Sequence, residues 1–131
     1  NLLNSIGINR LHTTPLYMLL DQPGKIRAYK LVTATGYGIY RTNGNNGINY
    51  LMDKTPTVPD ADTDESHDCG SGVNVATLDW CLKEWQPGYR VLVLEFTAAD
   101  IACIPTATDG KFRLYRATVV GEKDISGLVG R

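Results

Sequence analysis

One segment of this chain has the hydrophobic spacing of an amphipathic helix, whereas most of the others have the spacing of β-strands. In residues 77–85 the apolar side chains recur at the i, i+3, i+4 and i+7 positions of one helix face, namely Leu78, Cys81, Leu82 and Trp85. Thr77 is suited to the N-cap because its hydroxyl can accept a hydrogen bond from a free backbone N–H of the first turn. Pro87 and Gly88 end the segment. We expect this helix to lie on a sheet.

The β-patterned segments predict that sheet. Residues 89–96 form the best strand pattern, and from Val91 to Phe96 they are apolar on both faces except for Glu95, which is typical of a central strand. Asn and Gly residues at 43–47 predict a hairpin that joins the strands 36–42 and 48–53. The segment from Thr97 to Asp100 has the outline of a capping box for one helical turn. The remaining predicted strands are 25–33, 73–76, 101–105 and 111–120.

Together these patterns predict an α+β fold. It comprises a mixed, mostly antiparallel sheet of about six strands, with the helix 77–85 packed on it. A short N-terminal helix is expected over 15–21, because Thr14 and Pro15 suit the N-cap and the first helical position. We assign 1–24 to an N-terminal arm with this short helix, and 25–131 to a single α+β domain.

The composition argues against several classes of protein. The chain has 131 residues, of which 43% are hydrophobic, and this supplies a core. Its net charge of −1 gives no electrostatic reason to expect binding to nucleic acid or to an anionic membrane. The apolar runs are too short to span a bilayer. The three cysteines are an odd number without CxxC spacing, which favours a reducing, cytoplasmic compartment, and the apolar contexts of Cys81 and Cys103 predict buried thiols.

The glycine-rich turn before strand 73–76 is the first candidate site. It has two interpretations, a packed turn that leads into the helix or a backbone pocket for an anionic ligand near a helix N-terminus. A second candidate is a basic surface around Tyr115, where Lys111, Arg113 and Arg116 could hold phosphates, or could simply form a solvated strand edge. The ligand-binding candidates are Cys69, Gly70, Ser71, Gly72, Asn74, Lys30, Arg113 and Tyr115.

The loop 54–68 carries an acidic run that partly matches a calcium-binding loop. Asp60, Asp62 and Asp64 occupy its first, third and fifth positions, but Glu65 stands where the pattern needs a glycine. His67 and a neighbouring cysteine supply only two ligands, too few for a zinc site. We therefore predict a solvated, mobile loop and no metal.

Several short blocks extend from Ala28 onward, namely 28–32, 69–75, 90–93, Asp100 and Ile101, Ile104 and Pro105, Asp109, Lys111, Arg113, Val119, Val120 and Glu122. In these blocks the chain resembles the C-terminal part of the B protein of the rapid-lysis (rII) locus of T-even-like phages. The resemblance implies a phage-encoded protein in the host cytoplasm, acting in a phage–host or phage–phage setting, and it implies no established enzymatic activity. The family usually carries a histidine where this chain has Asn74.

The order of a glycine, a short strand, a helix and a later strand bearing Glu95 also resembles ADP-ribosyltransferase-like folds. That resemblance implies NAD as cofactor, with Tyr29 or Lys30 and Glu95 around the nicotinamide. The catalytic candidates are then Tyr29, Asn74 and Glu95, and an enzyme would need them to converge in one pocket. Our first hypothesis is instead a non-enzymatic interaction module without a cofactor, which binds a protein partner or itself.

Overall fold

The computed structural model describes residues 24–39, 47–67, 70–106 and 108–128. In this part of the chain six strands form one sheet in the order β4-β5-β2-β1-β3-β6, and all five pairings between them are antiparallel. This confirms the predicted α+β class, although the sheet is antiparallel rather than mixed. The strands are β1 Lys25–Val32, β2 Val73–Ala76, β3 Arg90–Thr97, β4 Ile101–Cys103, β5 Lys111–Leu114 and β6 Thr118–Glu122.

The helix α1, Leu78–Glu84, covers one face of the sheet. Thr77 caps it as predicted, because its Oγ1 accepts a hydrogen bond of 3.3 Å from the N–H of Trp80. The predicted apolar stripe is partly wrong. Trp80, which lies off that stripe, is buried together with Cys81, whereas Leu82 is only half-buried. The helix begins so close to the turn before β5 that a Cβ on Gly110 would lie 3.1 Å from the Cβ of Trp80.

The opposite face of the sheet is covered by irregular chain rather than by a second helix. Tyr50, Val58 and Ala61 pack there against apolar side chains of the central strands and form the larger core. This second cover explains why β3 is apolar on both faces, as the sequence indicates. It also buries Lys30, whose Nζ lies 5.0 Å from the centre of the Tyr50 ring.

Three predicted strands take a different form. The segments 36–39 and 47–53 form no regular strand and share only an isolated bridge between Tyr37 and Asn49. The turn that was predicted between them lies mostly outside the described residues, as does the predicted helix 15–21. The predicted strand 111–120 is divided into β5 and β6, which are separated in the sheet by three other strands.

The division of the last strand has a clear structural cause. Backbone hydrogen bonds join Tyr115 N to Asp100 O at 2.7 Å and Val58 N to Tyr115 O at 2.7 Å, so this segment pairs with loops instead of continuing β5. The Ala117 N–H then donates to Pro56 O at 3.2 Å. The chain therefore crosses the end of the sheet before β6. Within the described ranges, no helix has the length and apolar character needed to cross a bilayer.

Candidate functional site

Arg113 lies at the centre of the most elaborate polar cluster. Its side chain, on β5, is completely buried. Nε donates to the main-chain oxygen of Asp62 at 2.7 Å, Nη1 to that of His67 at 2.6 Å and Nη2 to that of Asp64 at 2.7 Å. A buried charge must be solvated by the protein, and here three carbonyl dipoles do this. The acidic loop therefore folds around a guanidinium.

The carboxylates of this loop stabilise its own turns. Asp62 Oδ1 accepts from the Asp64 N–H at 2.8 Å, and Asp64 Oδ1 accepts from the Ser66 N–H at 2.9 Å. His67 Nδ1 lies 2.7 Å from Asp62 Oδ2, and this hydrogen bond raises the pKa of His67. The hydrogen bond from the Asp64 N–H, followed by that of His67, lowers the pKa of Asp62.

These contacts change the prediction made for the loop. Its side chains at Asp64, Glu65 and His67 are exposed as expected, but its backbone is anchored by Arg113 and by a hydrogen bond of 2.7 Å from Asp62 N to Ser71 O. Asp62 and Asp64, two of the positions that resemble a calcium loop, direct their main-chain carbonyls at the guanidinium. Within the part of the chain that the structure describes, no three His, Cys, Asp or Glu side chains are grouped so that they could hold a metal.

The acidic loop packs closely against the glycine turn for which a ligand pocket was one interpretation. A Cβ on Gly70 would lie 2.5 Å from Asp62 Oδ2, and one on Gly72 would lie 3.2 Å from the Cβ of Ala61. Asn74 closes the turn, because its Nδ2 donates to Gly70 O at 3.0 Å and to Gly72 O at 3.2 Å. Ser71 is half-buried beside them, and Cys69 lies outside the described residues. The described part of the turn is therefore closely packed, as in the packed-turn interpretation, and ligand binding at these residues stays a prediction.

The predicted basic surface around Tyr115 does not form either. Lys111 is buried with its Nζ 5.6 Å from the centre of the Trp80 ring, and Arg113 is enclosed by the loop. Tyr115 is half-buried against the larger core. Of the four residues, Arg116 is the exposed one, and its Nε donates to Asp100 Oδ1 at 2.8 Å. The ligand candidate Lys30 is likewise buried, against Tyr50. Alternation along a strand could not reveal that both faces of β5 are covered.

The three catalytic candidates do not converge. Tyr29 on β1 lies opposite Ala76 and Val93, and antiparallel pairing places Asn74 and Glu95 in opposite directions from it. The three side chains project to the same face of the sheet, but Asn74 and Glu95 are two strands and four residues apart. This corresponds to about 16 Å with ordinary strand spacings. Asn74 and Glu95 also lie in different environments. Asn74 closes the glycine turn, whereas Glu95 lines a cleft at the end of β3.

The cleft around Glu95 has a volume of about 390 Å³ and lies where β1 begins and β3 ends. Its wall includes Lys25, Thr55, Thr57, Glu95, Asp100 and Arg116. Glu95 is paired with Lys25 at 3.4 Å and with Arg27 at 3.3 Å. Asp100 Oδ2 accepts from the Thr97 N–H at 2.9 Å, which confirms the predicted capping box.

Sequence reasoning singled out Glu95 and Arg116 among the residues of this cleft, but it assigned them to two different candidate sites. Its wall is assembled from four separate segments of the chain, and three of these come together because the chain crosses the end of the sheet at Arg116. The capping box, which places Asp100, was the one local signal.

No family model matches this chain, and neither a curated protein nor a solved structure is significantly similar to it.

Proposed function

We propose that this chain is a non-enzymatic interaction module that binds a protein partner or a second copy of itself. The resemblance of residues 28–122 to the rII B family supplies the proposed setting, which is the cytoplasm of a phage-infected host cell. Under this proposal the folded domain presents a rigid surface for recognition, and the chemistry of an active site is not required.

One observation carries the proposal: Arg113 and Asn74, which the sequence offers for ligand binding or catalysis, serve the framework. Arg113 uses all three of its nitrogens on loop carbonyls, and Asn74 donates to two carbonyls of the glycine turn. The register of the sheet separates Asn74 from Glu95 by about 16 Å. Groups that act together on one substrate need to lie within hydrogen-bond reach of it.

The enzymatic alternative, an ADP-ribosyltransferase-like domain that uses NAD, can be tested directly. The purified chain is incubated with NAD, and the released nicotinamide is measured by chromatography beside a blank without protein. We expect release equal to the blank and no change in melting temperature with NAD. Nicotinamide release above the blank that disappears in Glu95→Gln would overturn the proposal, because Glu95 is the residue to which the alternative assigns a catalytic role.

The binding role itself requires an identified partner. The tagged chain is expressed during phage infection, captured partners are purified separately, and binding is measured with the two pure proteins. Saturable binding at a fixed stoichiometry supports a protein partner, and a concentration-dependent dimer in sedimentation velocity supports self-association. A chain that remains monomeric and binds no purified candidate would contradict the proposal.

A further inference from the structure

We propose that the cleft around Glu95 receives a guanidinium group, namely an arginine side chain of the protein partner. This inference rests on the proposed function and specifies which surface of the module recognises the partner. Its basis is the unusual position of Glu95, which is mostly enclosed by protein while the groups that neutralise it are mostly in solvent.

The two cations beside Glu95 form long, solvent-exposed ion pairs with it. The Glu95 side chain is 17% exposed, whereas those of Lys25 and Arg27 are 74% and 66% exposed. Both N···O distances, 3.4 and 3.3 Å, are longer than the usual 2.7–2.9 Å of a charge-assisted hydrogen bond. Exposed ion pairs of this kind contribute little, so a better-placed cation can displace them.

Two other carboxylates of the domain, those of Glu122 and Asp100, form closer hydrogen bonds than Glu95 does. Glu122 binds Arg90 with two hydrogen bonds, of 3.1 Å to Nε and 2.5 Å to Nη2. Asp100 accepts from the Thr97 N–H at 2.9 Å and from Arg116 Nε at 2.8 Å. These two carboxylates already have well-formed partners, whereas Glu95 retains the capacity to accept a bidentate guanidinium.

The residues around Glu95 could accept hydrogen bonds from the remaining N–H groups of a guanidinium. A guanidinium that gives two N–H groups to a carboxylate has three left, and the wall of the cleft includes Thr55 and Thr57, whose hydroxyl groups are possible acceptors. Asp100 lies in the same wall, where its charge is already paired with Arg116. Lys25 opposes an incoming cation until its exposed side chain moves aside. A single arginine side chain should therefore bind weakly, with the remaining affinity coming from the surface of the partner.

The first test titrates the full chain with Nα-acetyl-arginine amide and follows backbone amide shifts by NMR. We expect shifts at Thr97 and Thr118, which line the cleft, with a dissociation constant of about 1 to 10 mM. Nα-acetyl-citrulline amide has nearly the same shape without the charge, and we expect it to bind at least about tenfold more weakly. Equal binding of the two probes would overturn the inference.

Variants then locate the interaction. Glu95→Gln should weaken binding of the arginine probe at least about tenfold, while Glu122→Gln, a matched change on the neighbouring β6, should leave it unchanged. Lys25→Met removes a competing cation and should tighten binding about two- to fivefold, a result that a purely structural role of Glu95 would not produce. Thermal unfolding of each variant establishes that it is folded. Unchanged binding in Glu95→Gln, or weaker binding in Lys25→Met, would refute the assignment.

A last comparison separates a partner's side chain from a small molecule. Free arginine carries an additional ammonium and a carboxylate, so tighter binding of the blocked probe supports recognition of arginine within a polypeptide. Tighter binding of free arginine would assign the cleft to a small molecule and overturn the assignment to a partner. If the arginine probe does not bind, the assignment of this cleft is wrong but the proposed interaction module stands. If the chain releases nicotinamide, the proposal of a non-enzymatic module is itself wrong.

Discussion

Arg113 Nη2 donates a 2.7 Å hydrogen bond to the main-chain oxygen of Asp64, although the two residues are 49 positions apart in the chain. With the equivalent bonds to Asp62 and His67, this contact makes a strand cation the organising centre of an acidic loop. The consequences of this arrangement can be measured.

Replacing Arg113 should strongly destabilise the fold. Arg113→Met removes the charge and leaves three inward-facing carbonyls without donors, so we expect a loss of about 3 kcal/mol in the free energy of unfolding. Urea denaturation provides the measurement. Arg27→Met is the matched control, because Arg27 is exposed on a neighbouring part of the sheet, and it should change stability by about 0.5 kcal/mol or less. A loss below about 1 kcal/mol for Arg113→Met would show that the loop does not depend on the guanidinium.

Adding a methyl group at Gly70 should disturb the same loop. The new Cβ would lie 2.5 Å from Asp62 Oδ2 and 2.7 Å from its Cβ, so the loop must shift. We expect Gly70→Ala to lower the free energy of unfolding by about 1 to 3 kcal/mol. Gly121→Ala, which meets nothing within 4 Å, serves as the control. Equal stability of the two variants would mean that the turn is not packed as closely as described.

The stability of the loop should depend on the protonation of His67. Its pKa is raised above the ordinary 6.5, first by the hydrogen bond to Asp62 and then by the charge of Asp64, while nearby Arg113 lowers it. The native state therefore binds the proton more tightly than the unfolded state. This contribution is complete below pH 6.5 and is lost as the pH rises through the raised pKa. Unfolding measured across this range should show the loss in the original chain but not in His67→Gln. Identical pH profiles of stability for the original chain and His67→Gln would contradict this prediction.

The thiol of Cys81 should be unreactive in the folded protein. Burial raises its pKa to about 12, although the charge of Lys30 acts in the opposite direction, so the nucleophilic thiolate is scarce at pH 8. Mass spectrometry after treatment with iodoacetamide should find Cys81 unmodified in the native state and modified in urea. Rapid native modification would indicate that α1 opens frequently from the sheet.

Several elements were predictable because the interactions that define them are local. Thr77 caps α1 through a residue three positions away, and Asp100 accepts from Thr97 over the same short separation. The two apolar faces of β3 likewise indicated its place inside the sheet. Such contacts are encoded within a few consecutive residues.

The last strand shows where local pattern was insufficient. Residues 111–120 have an uninterrupted strand-like composition, yet the hydrogen bonds of Tyr115 and Ala117 go to residues near 56–58 and 100. Strand propensity states that a segment suits an extended conformation and does not select its partner. The division into β5 and β6, and with it the cleft around Glu95, depends on that selection.

By itself, the sequence determined the α+β class, the cap and start of α1 and the central place of β3, because each depends on residues close together in the chain. Only the tertiary structure decided that Arg113 is enclosed rather than exposed, and that Asn74 and Glu95 lie far apart. Both outcomes depend on which distant segments cover each face of the sheet, and side-chain alternation carries no information about those segments.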